Sequence, residues 1–462
     1  MRTCEDNAMD GEDRTNHLDR ARGNLELLQA QLDQLDTTNR ALKARIENLH
    51  RDRDDLRNRI HALEKALHKI QSRRSHRFRY LIGNLLRRRL PVGEAIAQFR
   101  RPAAPPSPPP VVRPAFREDE PVGRSELIPE IEFPVVAPRR SLRVAAIMDH
   151  FSRAAFEPEF DYIDIGPDSW RNDLKDKPDL LMVESAFGGN NGKWVNQIAG
   201  FRPPRPALSE LTQWCRDNGI PTVFWNKEDP SNYEWFIGAA SAFDWVFTVD
   251  ELSIDRYRTD LGHNRIAPLP FAAQPAIHHP PEDEAGRTGN VAFAGSYYAR
   301  KHAERRRQME IVLAPALEFG LDIFDRMGSL DDPRFAWPKR YRPHLRGSLT
   351  YPQTTEAYRR YKVFLNVNTV TDSPTMCARR VFELLASGTP VITGPAEAID
   401  TMVPEEAAAI SRSADETREH LQHLLEFAAE RKTMGQAGMA WIASGNTYSD
   451  RVNTILDAVG LT

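Results

Sequence analysis

Arg379, Arg380 and Glu383 are three charged side chains within one turn of a stretch that has a helical pattern. The stretch lies in residues 363–394, where an apolar run, a polar loop, the helical pattern and a second apolar run follow one another. This order predicts one strand–helix–strand unit of a parallel sheet. Two arginines at a helix start suit a phosphate group, because the helix N-terminus adds free N–H groups. Glu383 can accept hydrogen bonds from two neighbouring hydroxyls, such as those of a ribose; a plain ion pair with an arginine is the structural alternative.

The polar loop of this unit adds three candidate ligand groups, Asn368, Ser373 and Thr375. They follow a predicted strand, and ligands of open parallel sheets bind at the carboxyl ends of the strands. We therefore expect these side chains to share one binding edge with the two arginines and Glu383.

A second basic group opens the same half of the chain, in the run V-A-F-A-G-S-Y-Y-A-R-K-H-A-E-R at residues 291–305. The run predicts a strand, a glycine turn and a basic helix start. The glycine allows close backbone approach to a ligand, and the basic side chains suit a group with about two negative charges. A solvated charged helix face is the alternative. The candidate binding residues are Gly295, Ser296, Arg300, Lys301 and Arg305.

The first half of the globular region alternates strand-like and helical segments. Predicted strands are residues 143–148, 179–183, 222–225, 245–249 and 266–271. Helical patterns between them include residues 207–218 and 251–261. Such alternation predicts a parallel sheet with helices on both faces. Polar groups follow several of these strands, so we expect them to gather at one sheet edge. The polar residues that we single out are His150, Glu184, Asn226, Lys227, Glu228 and Asp229.

The run F-W-N-K-E-D-P at residues 224–230 places two adjacent carboxylates and a lysine after a buried strand. Asp229 or Glu228 is our candidate for a catalytic base, and His150 is the reserve candidate. Asp229 before Pro230 is also typical of a turn or a helix N-cap, and a lone histidine at a strand end is commonly structural.

The run R-R-V-F-E-L-L-A-S-G-T-P-V-I at residues 379–392 resembles the nucleotide-sugar-binding motif of two-domain glycosyltransferases. More narrowly, it resembles the bacterial CgeB-like spore-maturation group of the glycosyltransferase group 1 superfamily. The runs V-E-S-A-F-G-G-N (183–190) and W-N-K-E-D-P (225–230) are similar to the amino-terminal domain of that group. The resemblance covers residues 142–446.

This resemblance implies an α/β fold of GT-B type, with two Rossmann-like domains facing a cleft. It also implies transfer of a sugar from a nucleotide-diphosphate donor to an acceptor hydroxyl, on a cell-envelope or spore-surface glycan or polymer. Glu383 would hold the ribose, and Arg300, Lys301, Arg379 and Arg380 would surround the diphosphate. The donor-binding set is completed by Gly295, Ser296, Asn368, Ser373 and Thr375. Acceptor-binding residues would be Glu184, Asn226 and Lys227.

One position departs from the wider superfamily. Retaining members carry a second glutamate eight residues before the ribose glutamate, and here that position is Thr375. Both stereochemical outcomes therefore stay open.

We expect neither a metal nor a cofactor. Metal-dependent glycosyltransferases use an Asp-x-Asp triplet, and the one such triplet is Asp52-Arg53-Asp54, inside a predicted coiled coil. His278 and His279 are too isolated to predict a zinc site.

The amino-terminal third is organised differently. We predict a disordered segment at 1–17, a coiled coil at 18–72, a basic amphipathic segment at 73–101 and a Pro-rich linker at 102–141. Leu or Ile fills thirteen of the sixteen a and d positions of the coiled coil, and the lone Asn39 at a favours a parallel homodimer. A single helix packed on its own protein is the alternative. The predicted domains that follow are 142–275 for the acceptor and 276–462 for the nucleotide sugar. Within the second, we predict one helix from about residue 414 to residue 431.

Residues 73–90 interleave arginines with Phe, Tyr, Leu and Ile, which is typical of a helix on an anionic membrane surface. A charged end to the coiled coil is the alternative. The prolines at 102–110, with further prolines to Pro138, predict an extended spacer that joins no core.

The whole chain of 462 residues has a net charge of −3, which argues against a nucleic-acid partner. Three widely separated cysteines argue against a disulfide framework. We see no signal peptide or membrane span, so we expect a cytoplasmic protein with peripheral contact to the inner face of the membrane through residues 73–90. A non-catalytic coiled-coil assembly protein is the alternative function. An oxidoreductase is disfavoured because no G-x-G-x-x-G follows a predicted strand.

Overall fold

The computed structural model describes residue 123 and residues 125–461, except 201, 329 and 331. The predicted segments 1–17, 18–72 and 73–101 and most of the linker lie outside the described residues, so the disordered terminus, coiled coil and basic amphipathic helix stay predictions.

Within the described residues, the first half of the chain forms a six-stranded parallel sheet of order β2-β1-β3-β4-β5-β6. The central strands are buried along their whole length, as expected when helices cover both faces of a parallel sheet. The strands are β1 (Arg143–Ile147), β2 (Asp161–Asp164), β3 (Leu180–Glu184), β4 (Thr222–Asn226), β5 (Trp245–Thr248) and β6 (Ile266–Pro268). All five predicted strands are present, and the edge strand β2 was missed because it is short, none of its residues is fully buried and both of its ends are aspartates.

Helices connect these strands on both sides of the sheet. They are α1 (His150–Phe156), α2 (Trp170–Asp173), α3 (Pro206–Asp217), α4 (Tyr233–Ala240) and α5 (Ile254–Leu261). Asp149 caps α1 by accepting a hydrogen bond from the Ser152 backbone N–H. The predicted helix at 251–261 begins instead with a 3-10 turn, Glu251–Ser253, before α5.

The second half forms, among the described residues, a five-stranded parallel sheet of order β11-β10-β9-β7-β8. Its strands are β7 (Gly289–Gly295), β8 (Leu321–Asp325), β9 (Tyr361–Asn366), β10 (Val391–Thr393) and β11 (Ala409–Ile410). The helices are α6 (Ala303–Ala316), α7 (Tyr351–Arg360), α8 (Arg379–Ala386), α9 (Glu397–Met402), α10 (Ala414–Glu426), α11 (Ala428–Ala443) and α12 (Tyr448–Val459). The fold is therefore α/β with two parallel sheets.

The predicted strand–helix–strand unit is confirmed as β9, α8 and β10. Gly388, with φ of +59°, lies in the turn between α8 and β10, where a left-handed conformation favours glycine. The prediction of one helix from 414 to 431 is wrong, because Phe427 is extended and separates α10 from α11.

Both ends of the described chain connect the two halves. Ile128 is 3% exposed and belongs to a core shared by the two sheets, so the prediction that no part of the linker joins a core is wrong at this residue. The α12 helix packs on the first half, where the Tyr448 ring contacts Phe156 with centroids 4.8 Å apart. Arg451 donates hydrogen bonds to the carbonyls of Pro270 and Phe271.

None of the helices within the described residues combines the length and apolar character needed to cross a bilayer. Cys215 and Cys377 are buried and unpaired.

Candidate functional site

The carboxyl ends of strands from the two sheets meet at a region that we call the junction. Ser373, in the loop after β9, donates a 2.7 Å hydrogen bond to the Asp250 carboxylate after β5. The Thr375 hydroxyl donates to the Val249 carbonyl at 2.9 Å. The Phe151 ring in α1 lies edge-on to Tyr351 in α7, with centroids 4.7 Å apart. Residues that follow strands of both sheets are thus brought together.

A buried charge cluster lies at the first-sheet side of the junction. Lys227 Nζ forms an ion pair with Asp149 and a 2.9 Å contact with Glu184 Oε1, and it also bonds to the Ser152 hydroxyl at 3.3 Å. Glu184 is fully buried and Lys227 is 8% exposed. The Asp149 backbone N–H donates to Glu184. We name Asp149, Glu184 and Lys227 the charge triad.

The triad members influence one another's protonation. Burial and the charge of Asp149 raise the pKa of Glu184 to about 7. Burial also opposes ionisation of Asp149, but the charges of Lys227 and Arg379 outweigh it and hold the pKa of Asp149 below its usual value. Arg379 belongs to the second sheet, so charge interactions extend across the junction.

Asp229 and Asn226 form a separate buried network. Asp229 is fully buried, and its two carboxylate oxygens accept hydrogen bonds from Asn226 Nδ2, the Thr248 hydroxyl and the Tyr257 hydroxyl at 2.7–3.0 Å. Burial raises the pKa of Asp229 to about 7. This arrangement favours the structural alternative for Asp229, because a base must reach the proton that it removes. Asn226 is equally enclosed, so its predicted contact with an acceptor has no support here.

Glu228 is the better placed of the two candidate bases. It is partly exposed, accepts a 2.6 Å hydrogen bond from Asn232, and has its pKa raised chiefly by burial. The charge of Arg326, which follows β8, acts on it from the second sheet. His150 is also partly exposed, and its ring lies 6.3 Å from that of Tyr351. Both residues therefore lie at the junction.

Glu383 lies within α8 and is 2% exposed. Its Oε1 accepts a 2.9 Å hydrogen bond from the Tyr351 hydroxyl and lies 2.9 Å from Arg379 Nε, while Oε2 accepts from the Tyr358 hydroxyl at 3.0 Å. Burial alone would raise the pKa of Glu383, but the charge of Arg379 lowers it below its usual value. The carboxylate is therefore held ionised, and both of its oxygens carry hydrogen-bond partners from the protein.

Arg379 forms an ion pair with Glu383, which was the structural alternative in the sequence analysis. It also contacts the first half of the protein. Its guanidinium lies 4.4 Å from the centroid of the Phe151 ring and 5.5 Å from that of Tyr351. Arg326 approaches Phe151 as well, at 5.5 Å. Two cations of the second half thus contact one aromatic ring of the first.

Arg305 and Arg380 form an unpaired cationic pair. Within the part of the chain that the structure describes, neither forms an ion pair with a carboxylate, and the Nε of each is buried without a hydrogen-bond partner. Arg305 Nη1 donates to the Val367 carbonyl at 3.0 Å. Burial and the charge of Arg380 lower the pKa of Arg305 to about 10. Two cations side by side without counter-charge are arranged to bind an anion.

The glycine turn after β7 supports this pair. A Cβ atom on Gly295 would lie 3.0 Å from the Phe293 ring and 3.4 Å from Arg305 Nη2, so glycine leaves the room in which the guanidinium sits. The Ser296 carbonyl lies 3.5 Å from the same Nη2. Arg300 and Lys301 are exposed on the segment before α6. Arg305 therefore contacts the glycine turn directly, while the two preceding cations remain in solvent.

The three predicted loop ligands are engaged with protein groups. Asn368 is 1% exposed and donates through Nδ2 to Thr393 Oγ1 and the Gly394 carbonyl, which ties the ends of β9 and β10 together. Ser373 and Thr375 bond across the junction as described above. The contacts of all three are structural in this conformation.

Sequence reasoning gave no role to Tyr351, Tyr358 or His278, which surround Glu383. The two tyrosines are seven residues apart, a spacing that places them on one face of a helix, so a signal was present. Nothing in the sequence indicated which carboxylate they contact.

Among the described residues, no group of three or more His, Cys, Asp or Glu side chains is arranged to hold a metal ion.

Residues 296–457 match the family model described as glycosyl transferase-like. This range includes Arg305, Arg380 and Glu383. The match assigns a glycosyltransferase domain to the second half of the chain, and the predicted enzyme class is confirmed. The narrower CgeB-like resemblance is not tested by the match and stays a prediction. No curated protein sequence matches the chain.

Several solved structures are similar to part of this chain. Sucrose-phosphate synthase from Thermosynechococcus elongatus is 13% identical over 62% of this chain and 74% of that chain, with a TM-score of 0.40. A glycosyltransferase from Rickettsia africae is 8% identical over 61% and 89%, with a TM-score of 0.40. HepE from Anabaena in complex with UDP is 10% identical over 69% and 92%, with a TM-score of 0.42.

Proposed function

We propose that this protein is a GT-B-type glycosyltransferase that binds a nucleotide-diphosphate sugar in its second half and transfers the sugar to an acceptor hydroxyl presented by the first. The observation that carries the proposal is the unpaired cationic pair, Arg305 and Arg380, within the matched range 296–457. The resemblance of residues 379–392 to the nucleotide-sugar motif supports the same conclusion.

The donor diphosphate would bind at Arg305 and Arg380. Its negative charge would balance the positive charges of the two arginines. Charge-assisted hydrogen bonds to guanidinium groups are also among the strongest hydrogen bonds in proteins. The N-terminus of α8 offers backbone N–H groups beside Arg379 and Arg380. Arg300 and Lys301 lie at the exposed approach. These fixed cations would stabilise the departing diphosphate without a metal.

Glu383 would accept hydrogen bonds from the ribose hydroxyls. In the structure its oxygens accept from the hydroxyls of Tyr351 and Tyr358, which have the same hydrogen-bonding chemistry as a sugar diol. Donor binding would therefore exchange the Tyr358 hydroxyl on Oε2 for a ribose hydroxyl, while Tyr351 stays on Oε1 and the carboxylate stays ionised.

In the transfer step, the acceptor oxygen would form a bond to the anomeric carbon of the donor while the bond from that carbon to the phosphate oxygen breaks. The acceptor proton would pass to a base, and the nucleoside diphosphate would leave. Glu228 is our first candidate for the base, because it is partly exposed at the junction and its pKa is raised by burial. His150 is the second. Asp229 stays a weaker candidate because it is enclosed.

The acceptor is proposed from the resemblance as a cell-envelope or spore-surface glycan or polymer. Glu184 and Lys227 lie at the first-sheet side of the junction, but within the charge triad their polar groups mostly bond to each other and to Asp149. We further propose the homodimer through residues 18–72, membrane contact through residues 73–90, a cytoplasmic location and the domain boundary at 275.

A thermal-shift assay against UDP, GDP and dTDP tests the proposal. We expect one of them to raise the melting temperature, because a ligand that binds only the folded state stabilises it. Glu383→Ala should weaken that shift and reduce sugar transfer. If no nucleoside diphosphate stabilises the full-length chain, or if Glu383→Ala transfers sugar as well as wild type, the proposal is wrong.

A further inference from the structure

A chain of hydrogen bonds runs from the segment that connects the two sheets to Glu383. The Gln274 backbone N–H donates to His278 Nδ1 at 3.1 Å. His278 Nε2 lies 3.1 Å from the Tyr351 hydroxyl, which donates to Glu383 Oε1 at 2.9 Å. These residues are all at most 4% exposed, so the chain is shielded from water.

The donors along this chain can be assigned from its ends. Because Nδ1 of His278 accepts from a backbone N–H, the neutral ring carries its proton on Nε2. Nε2 then donates to the tyrosine oxygen, and the tyrosine is left to donate its own proton to the carboxylate. Burial, the largest influence, lowers the pKa of His278 to about 4, which agrees with a neutral ring. Each group thus donates one hydrogen bond to the next, and the direction of donation runs from Gln274 to Glu383.

The start of the chain is fixed to the first half of the protein. Gln274 Nε2 donates to the Ala155 carbonyl at 2.9 Å and to Glu159 Oε1 at 3.0 Å, both at or just beyond α1. The next residue toward the N-terminus, Ala273, pairs with the segment before α12 through its N–H and carbonyl. Gln274 is therefore held by the first sheet and its covering helices, whereas Glu383 belongs to the second.

We propose that His278 is a positioning residue for donor binding, which orients Glu383 through Tyr351 and, through Gln274, makes that orientation depend on the placement of the first half. This inference rests on the proposed function, in which Glu383 binds the donor ribose. His278 itself touches no substrate. It holds the tyrosine hydroxyl on Oε1, so that the carboxylate keeps one rotamer before and during donor binding.

Discrimination between ribose and dideoxyribose tests the inference. Calorimetric titration would use UDP or GDP, whichever raises the melting temperature of the full-length protein more, and its 2′,3′-dideoxy form. We expect wild type to bind the ribose form at least about 10-fold more tightly, since hydrogen bonds to a charged group are worth this much. We expect His278→Phe to reduce the ratio to about 2-fold or less, with little change in affinity for the dideoxy form.

Two conservative variants separate positioning from a general loss of packing. The amide nitrogen of Gln can take the place of Nε2, so His278→Gln should restore most of the ratio. Asn reaches only the position of Nδ1, so His278→Asn should not. Gln274→Met removes the bonds to the first half but keeps the backbone N–H, and should lower the ratio by a smaller factor.

The outcomes distinguish the two proposals. If wild type binds neither nucleotide, the proposed function fails and this inference fails with it. If wild type discriminates but all three His278 variants keep its ratio, only the inference is overturned. Equal losses in His278→Gln and His278→Asn would also overturn it, because they would show that packing, not the bond to Tyr351, matters. An unchanged ratio in Gln274→Met would remove the dependence on the first half.

Discussion

The two sides of the junction carry charge in opposite ways. In the charge triad, Lys227 lies between Asp149 and Glu184, so its charge is compensated by neighbours on the same sheet. Arg305 and Arg380, on the other sheet, repel each other and have no carboxylate partner among the described residues. The ion pairs of the charge triad offset the cost of burying its charges. The repulsion between Arg305 and Arg380, in contrast, costs free energy until an anion binds. This difference is the reason that we propose the second sheet, not the first, as the donor-binding side.

The largest expected effect is on the compensated side. Lys227→Met should lower the free energy of unfolding by about 3–5 kcal/mol, because it leaves buried carboxylates without their cation. Urea denaturation at pH 7 measures this. Lys193→Met is the matched control, since Lys193 pairs with Asp164 at the surface with its side chain 48% exposed, and its loss should cost less than about 1 kcal/mol. Equal costs in the two variants would show that the triad is not a stabilising unit.

The pH dependence of stability provides a second test of the charge triad. The pKa of Glu184 is raised from 4.5 to about 7 in the folded protein, so the folded state binds a proton that the unfolded state has lost. The contribution of this proton to the free energy of unfolding is fully present below pH 4.5 and is lost as the pH rises to about 7. Relative to wild type, Glu184→Gln should therefore gain up to about 3 kcal/mol across this window. Denaturant titrations at several pH values measure the difference, and a constant difference would contradict the prediction.

Substitution of Arg305 or Arg380 should change the affinity for a nucleotide rather than the stability of the protein. Arg305→Met or Arg380→Met should weaken binding of UDP or GDP about 10- to 100-fold, because a charge-assisted hydrogen bond is lost. The melting temperature without ligand should stay the same or rise, since a repulsion is removed. Isothermal calorimetry and thermal unfolding measure these effects.

Arg307→Met serves as the control for those variants, because Arg307 lies on the same helix as Arg305 but pairs with Glu304 at the surface. A loss of stability without a loss of nucleotide affinity in the Arg305 or Arg380 variants would place the ligand elsewhere.

The smallest effect concerns the contacts between the two sides. Ser373→Ala and Thr375→Val should lower the free energy of unfolding by about 1 kcal/mol for each hydrogen bond that is lost across the junction. Ser373 forms one such bond, to Asp250, and Thr375 forms two, to the Val249 carbonyl and from the Glu251 backbone N–H. Nucleotide affinity should change less than about 2-fold. A tenfold loss of affinity would instead show that these side chains contact the donor, as the sequence pattern predicted.

Elements with a strong local pattern were predictable. The unit β9, α8 and β10 was found because its apolar runs and its terminating Gly388 are adjacent in sequence. The edge strand β2 has no such pattern. The end of α10 at Phe427 was also missed, since helical propensity continues through this position while tertiary packing requires an extended residue there.

The candidate site was only partly predictable. The sequence indicated Arg379, Arg380 and Glu383 as a group, and it indicated charge near Gly295. It did not show that Arg379 pairs with Glu383 while Arg380 is left with Arg305. That partition depends on residues about 75 positions apart in sequence that meet only when β7 and β9 are neighbours in one sheet.

By itself, the sequence determined the alternation of strands and helices and the position of polar residues at strand ends. Both follow from interactions between neighbours along the chain. The tertiary structure decided which charges are compensated and which are not. It enclosed Asp229 and placed two tyrosines and a histidine around Glu383. It also brought Arg305 and Arg380 near each other without a carboxylate partner among the described residues. These outcomes depend on contacts between distant segments, whose burial and geometry no local pattern specifies.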